Sequence, residues 1–154
     1  MFSLIHAVAG CLIGNYFNSP LLVVILAIIS HFVLDIIPHW DGFYDKVLFE
    51  TKGHININNK ALYVQLLDAL IALAFIIYFI VSIPSKGIII FIGAIASLSP
   101  DIVKLGFFTP LRNDKFYMGY LKFHSKIQKE VSWQLGAFIQ AVILIALFTI
   151  FYFF

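Results

Sequence analysis

Ser30-His31-Phe32-Val33-Leu34-Asp35-Ile36-Ile37-Pro38-His39-Trp40-Asp41 closes a long apolar run that starts at Pro20. Ionisable side chains at the end of such a run are costly unless something compensates them. On an α-helix His31 and Asp35 stand four apart and share a face, close enough to grip one ion. Pro38 stops the helix. His39 and Asp41 then follow at the water boundary, on either side of Trp40, an aromatic suited to that depth. Four candidate metal ligands fall within residues 31–41. The stretch reads as a metal site at a membrane surface.

Composition sets the solvent. Of 154 residues, 62% are hydrophobic and 12% charged, and the mean hydropathy is +0.99. A soluble domain carries about 25% charged residues and needs them to cover its surface. Several apolar stretches approach the ~20 residues that cross a bilayer as a helix. The expected class is therefore an all-α integral membrane bundle, with residues 1–154 as one membrane-embedded domain. Cys11 is the single cysteine, so an intrachain disulfide is excluded and a packed small hydrophobe is expected. The first basic residue is Lys46, so the chain start lacks the positive region of a cleavable signal peptide. Residues 1–17 are expected to stay in the mature protein.

Outward from the opening stretch, the chain divides into about five spans. Residues 2–17 form a first apolar helix, short for a full crossing, with Gly10 and Gly14 as a small-xxx-small pair for close packing. Asn18-Ser19-Pro20 makes a tight turn, Ser19 capping and Pro20 opening a second helix over 20–37. Residues 38–59 are polar, with an apolar interlude at Phe43–Phe49 that suits a surface helix. Further spans are expected over 60–82, 86–105 and 132–153, with Gly93 and Ser97 forming a second close-packing face. Residues 116–131, where Lys122, Lys126 and Lys129 alternate with Tyr120, Phe123 and Ile127, suit an interfacial amphipathic helix running on into the last span.

Five spans put the two chain ends on opposite sides. Nine of the ten basic residues then lie on the amino-terminal side, and only Lys86 on the other. The positive-inside rule makes the amino-terminal side cytoplasmic, in a cell inner membrane, with the carboxyl terminus opposite.

Depth along the helices gathers the ionisable groups on that cytoplasmic side. His6 opens the first helix and His31 and Asp35 end the second. Asp68 lies roughly 12 Å into the third, Asp101 ends the fourth, and His124 precedes the fifth. Scattered toward lipid, these groups would oppose insertion. Around a cation they become ligands. His6, His31, Asp35, Asp68, Asp101 and His124 are the candidate metal ligands, and His39 and Asp41 the candidate catalytic bases. Nitrogen and oxygen donors without thiolate suit Zn, with Mn or Fe as alternatives. The surplus over four ligands allows two ions, or one ion with outer partners.

Taken together, the early His6 on a small-residue helix, Ser30-His31-x3-Asp35-x2-Pro38-His39-Trp40-Asp41, the lone Asp68, Ser99-Pro100-Asp101 and Phe123-His124-Ser125-Lys126-Ile127-Gln128 resemble a family of small bacterial membrane proteins. These are the membrane-bound metal-dependent hydrolases, in turn distantly similar to zinc-dependent phospholipase C through the His-x3-Asp motif. The resemblance implies a hydrolase built around metal.

The function expected is metal-dependent hydrolysis at the cytoplasmic face. A phosphoester or lipid-linked substrate fits the nearby lysines, which attract phosphate and anionic headgroups. The partners expected are the lipid bilayer and a phospholipid or phosphoester, with no nucleic acid. The alternatives are a metal-ion or proton transporter, which needs polar groups across the whole span, and a non-catalytic scaffold whose His–Asp contacts only brace helices.

Overall fold

The computed structural model describes residues 1–40 and 59–153. Among these residues the chain is an all-α bundle of six helices: α1 (Ser3–Tyr16), α2 (Pro20–Ile36), α3 (Asn59–Ser82), α4 (Gly87–Lys104), α5 (Lys115–Ile127) and α6 (Trp133–Phe153). Asp41, His54 and the apolar interlude Phe43–Phe49 lie outside the described residues.

Local chemistry accounts for the boundaries. Ser19 caps α2 by accepting from the Leu22 N–H, with Pro20 in the first turn, where its missing N–H costs nothing. Asp114 caps α5 through the Tyr117 N–H at 2.8 Å. A short 3₁₀ turn, Pro84–Lys86, links α3 to α4. Lys86 is tied down there, donating from Nζ to the Asn15 carbonyl at the end of α1.

Among the described residues, three helical segments are long and apolar enough to cross a membrane: Leu62–Ser82, Pro84–Phe107 and Trp133–Phe153. Helices α1 and α2 are apolar but shorter. At 1.5 Å per residue they reach about 21 and 25 Å, against a hydrocarbon core of about 30 Å. Large apolar side chains point outward over much of the bundle, among them Leu21, Leu70, Val81, Ile88 and Phe138. That surface suits association with a lipid bilayer rather than with water.

The interior is narrow. Ala7, Val8, Cys11 and Leu12 of α1 meet Ala72, Ile76 and Phe79 of α3 and Ile90 and Ala94 of α4, with Phe148 and Phe151 of α6 packed against them. Cys11 is a buried member of this apolar core. α1 and α4 cross at backbone contact. A Cβ on Gly10 would collide with the Gly93 carbonyl, and one on Gly93 with the Gly10 carbonyl. The two small-residue faces expected separately are thus the two sides of one crossing.

One expectation is corrected. The amphipathic segment does not run on into the last span: α5 ends at Ile127, and α6 starts at Trp133. The break has a use. Residues 129–131 pair with the segment after Pro38, His39 N–H donating to the Lys129 carbonyl at 3.0 Å and Val131 N–H to the His39 carbonyl at 3.2 Å. α5 is therefore folded back onto the end of α2, with its histidine inward.

Candidate metal centre

Asp35 is the hub. It is fully buried on the last turn of α2, and its two oxygens face two sets of donors. Oδ2 lies 2.9 Å from His124 Nε2, 3.4 Å from His31 Nε2 and 3.2 Å from Gln128 Nε2. Oδ1 lies 3.1 Å from the Met1 main-chain nitrogen, 3.2 Å from His6 Nε2 and 3.9 Å from His39 Nε2. The imidazoles of His6, His31, His39 and His124 are likewise fully buried.

Neighbouring backbone selects the tautomers of two of these rings. His31 Nδ1 is 2.8 Å from the Ser97 carbonyl oxygen, and His39 Nδ1 is 2.8 Å from that of Ile37. A carbonyl oxygen only accepts, so each Nδ1 carries the proton. The His31 Nε2 lone pair is then left for the centre, whereas that of His39 accepts from the Met1 nitrogen at 2.7 Å. Metal-binding histidines are commonly held this way through their second nitrogen. Pro100 lies in the same turn of α4 as Ser97. It has no N–H for the Ala96 carbonyl one turn back, and the Ser99 hydroxyl donates to that oxygen instead, at 2.8 Å.

The donor spacing suits a small cation. His31 Nε2, His124 Nε2 and Asp35 Oδ2 form a triangle with sides of 3.1, 2.9 and 3.4 Å. Ligands about 2.0–2.1 Å from a tetrahedral ion stand about 3.3 Å from one another. Two groupings of potential ligands emerge among the described residues, His31–Asp35–His124 and His6–His31–Asp101. Both use His31, whose one available lone pair on Nε2 serves one ion, so they describe overlapping halves of a single centre. Among the described residues, His6 Nδ1 and His124 Nδ1 are buried without a hydrogen-bond partner, a state that calls for an explanation.

The surroundings exclude water on most sides. His6 and His31 rings stack at 4.0 Å, Phe32 stands edge-on to both His31 and His124, and Tyr120 stacks on His124 at 5.8 Å. Burial pushes the His124 imidazole below its ordinary pKa, against the pull of the Asp35 hydrogen bond. Burial also pushes the Tyr120 hydroxyl up to about 12, so it stays protonated, donating to the Pro100 carbonyl at 2.7 Å. Asp101 is the one partly exposed member, at 24%. Its Oδ1 is 2.6 Å from Lys104 Nζ and 3.8 Å from His31 Nε2. The centre thus opens toward Asp101 and Lys104.

The sequence-derived candidates divide accordingly. His6, His31, Asp35, Asp101 and His124 come together from α1, α2, α4 and α5. His39, expected as a base at a water-facing mouth, is instead buried against Asp35 because its chain is paired with residues 129–131. Asp68 is engaged elsewhere. Its Oδ2 accepts from the Ser3 N–H at 2.7 Å and its Oδ1 from the Leu4 N–H at 3.2 Å, and it belongs to neither ligand grouping. Asp41 lies outside the described residues. Three participants had no role assigned from the sequence: the Met1 nitrogen, 3.1 Å from Asp35 Oδ1, Gln128 and Gln140. Gln128 follows His124 by four, repeating the spacing of His31 and Asp35, and Gln140 is a polar residue inside an apolar span. Those were the available signals.

Comparison of the chain with models of known families, with curated proteins and with solved structures found no match to any of them.

Proposed function

We propose that the chain is a membrane-embedded, metal-dependent hydrolase whose centre is the cluster around Asp35, at the cytoplasmic end of the bundle. The observation that carries this reading is the triangle of His31 Nε2, His124 Nε2 and Asp35 Oδ2, at ligand-like separations and with the His31 tautomer preset by Ser97. A divalent ion, Zn before Mn or Fe on the donor set, would lower the pKa of a bound water and polarise a phosphoryl or carbonyl oxygen.

The chain's own groups divide the remaining work. His31, His124, Asp35 and His6 supply donors in a dry pocket, and His39 lies beside Asp35 Oδ1 as an acid–base group. Lys104, beside the partly exposed Asp101, is placed to attract a phosphate approaching from the membrane surface. A phosphoester or lipid-linked substrate follows from that cation and from the setting in lipid. The cytoplasmic, inner-membrane orientation follows from the basic-residue asymmetry. A transport pathway would need polar groups through the opposite half as well, and there the interior is Leu12, Ile76, Phe79 and Ile90.

The test is metal analysis of detergent-purified protein together with hydrolysis of bis(p-nitrophenyl) phosphate and of a short-chain phospholipid. Wild type should retain stoichiometric metal and cleave at least one of the two. His31→Ala and Asp35→Ala should lose both properties while remaining folded. A metal-free wild type, or variants that bind metal normally, would defeat the proposal.

A further inference from the structure

Two polar side chains from inside the long helices α3 and α6 are directed at the backbone of the first turn of α1. Asp68, tenth residue of α3 and nearly buried, receives the Ser3 and Leu4 N–H groups on its two oxygens, at 2.7 and 3.2 Å. Gln140 of α6, also buried, accepts from the Phe2 N–H at 2.9 Å and donates from Nε2 to the Trp40 carbonyl at 3.2 Å.

The need for these contacts is local. A helix leaves its first N–H groups without intrahelical acceptors, and a Ser, Thr, Asp or Asn at the cap position normally covers one of them. The cap residue of α1 is Phe2, which has no acceptor, and no side-chain capping bond forms there. Asp68 supplies the cap from another helix, with its carboxylate at the positive end of the α1 dipole.

The consequence reaches the metal centre. Of the donors around Asp35, only His31 has its separation set by helix geometry. His6 arrives on α1, and its distance from Asp35 Oδ1 depends on where α1 sits along its own axis. The Gly10–Gly93 crossing brings α1 and α4 into contact. Asp68 and Gln140 anchor the end of α1 one turn from His6. Gln140 also holds Trp40, next to His39, so one side chain links two of the donor-bearing segments.

We propose that Asp68 and Gln140 are positioning residues that hold the first turn of α1 and the His39–Trp40 segment in register with Asp35, and so set the affinity of the centre for its ion. This rests on the metal-centre reading above. It assigns Asp68 a role through the α1 backbone in place of direct ligation.

The experiment is titration of the metal-stripped, detergent-solubilised full chain with Co²⁺, following the visible ligand-field spectrum, with size-exclusion and thermal-melt controls. Asp68→Ala should weaken Co²⁺ affinity about 10- to 100-fold and alter the spectrum, the usual effect of losing an outer partner. Asp68→Asn, which keeps one acceptor oxygen, should fall between Asp68→Ala and wild type. Gln140→Leu should weaken affinity about 10-fold on the same scale, and it decides the matter if Asp68→Ala does not fold. Folded variants that bind Co²⁺ with wild-type affinity and spectrum overturn the positioning role and leave the metal centre standing. Wild-type protein that binds no Co²⁺ overturns the centre itself, and the positioning role with it.

Discussion

His31 Nδ1 lies 2.8 Å from the Ser97 carbonyl oxygen, across the contact between α2 and α4. This bond joins the ligand helix to the proline-bearing helix and aims the His31 Nε2 lone pair at Asp35. Pro100→Ala would restore an N–H that competes with Ser99 for the Ala96 carbonyl, and would remove the ring that crowds this turn. The Ser97 carbonyl should shift with it. The expected result is about a 10-fold loss of metal affinity with little change in helix content, measured by competition against a chromophoric chelator and by circular dichroism.

Gly10 and Gly93 meet backbone to backbone. Gly10→Val or Gly93→Val should therefore separate α1 from α4, at a cost of about 3 kcal/mol or more, the upper end for overpacking. Gly119 is the contrast, because a Cβ there meets nothing within 4 Å. Gly119→Ala, inside α5, should stabilise by about 0.5–1 kcal/mol. Thermal unfolding in detergent of the three variants checks both signs.

Acid should loosen the metal-free protein. His124 lies outside the apolar spans, and its pKa is lowered from 6.5 chiefly by burial. The folded state thus prefers the neutral ring. The associated stability is complete above the unfolded value of 6.5 and is lost as pH falls toward the depressed folded value. The melting temperature should be level at neutral pH and decline below it, and His124→Gln should lessen the slope. Metal binding should weaken over the same range, because ligands bind in their neutral or anionic forms.

Orientation is open to chemical labelling. In a Cys11→Ser background, Ser85→Cys should react with an impermeant maleimide in intact cells. Arg112→Cys should react only after lysis. Ser85 and Arg112 are both exposed and lie toward opposite ends of α4. The reverse pattern would invert the assigned topology.

Much of the fold was legible because its determinants are local. The runs 2–17, 20–37, 60–82, 86–105 and 132–153 sit within a residue or so of the observed helices, since Pro20, Pro38, Pro84 and the capping residues act on their own backbone. The ligand set was partly legible. Counting residues along apolar helices places His6, Asp35, Asp68 and Asp101 in one layer. It says nothing of the direction each faces.

By itself the sequence determined an apolar all-α chain with His and Asp at one end, because run length, helix periodicity and charge are properties of neighbouring residues. Only the tertiary structure decided which of them share Asp35. His124 turns inward because α5 ends early and the following chain pairs with His39. Asp68 turns to the α1 backbone because Phe2 cannot cap its own helix. Both outcomes depend on rotation and register between helices distant in the chain, which packing and hydrogen bonding across the bundle set.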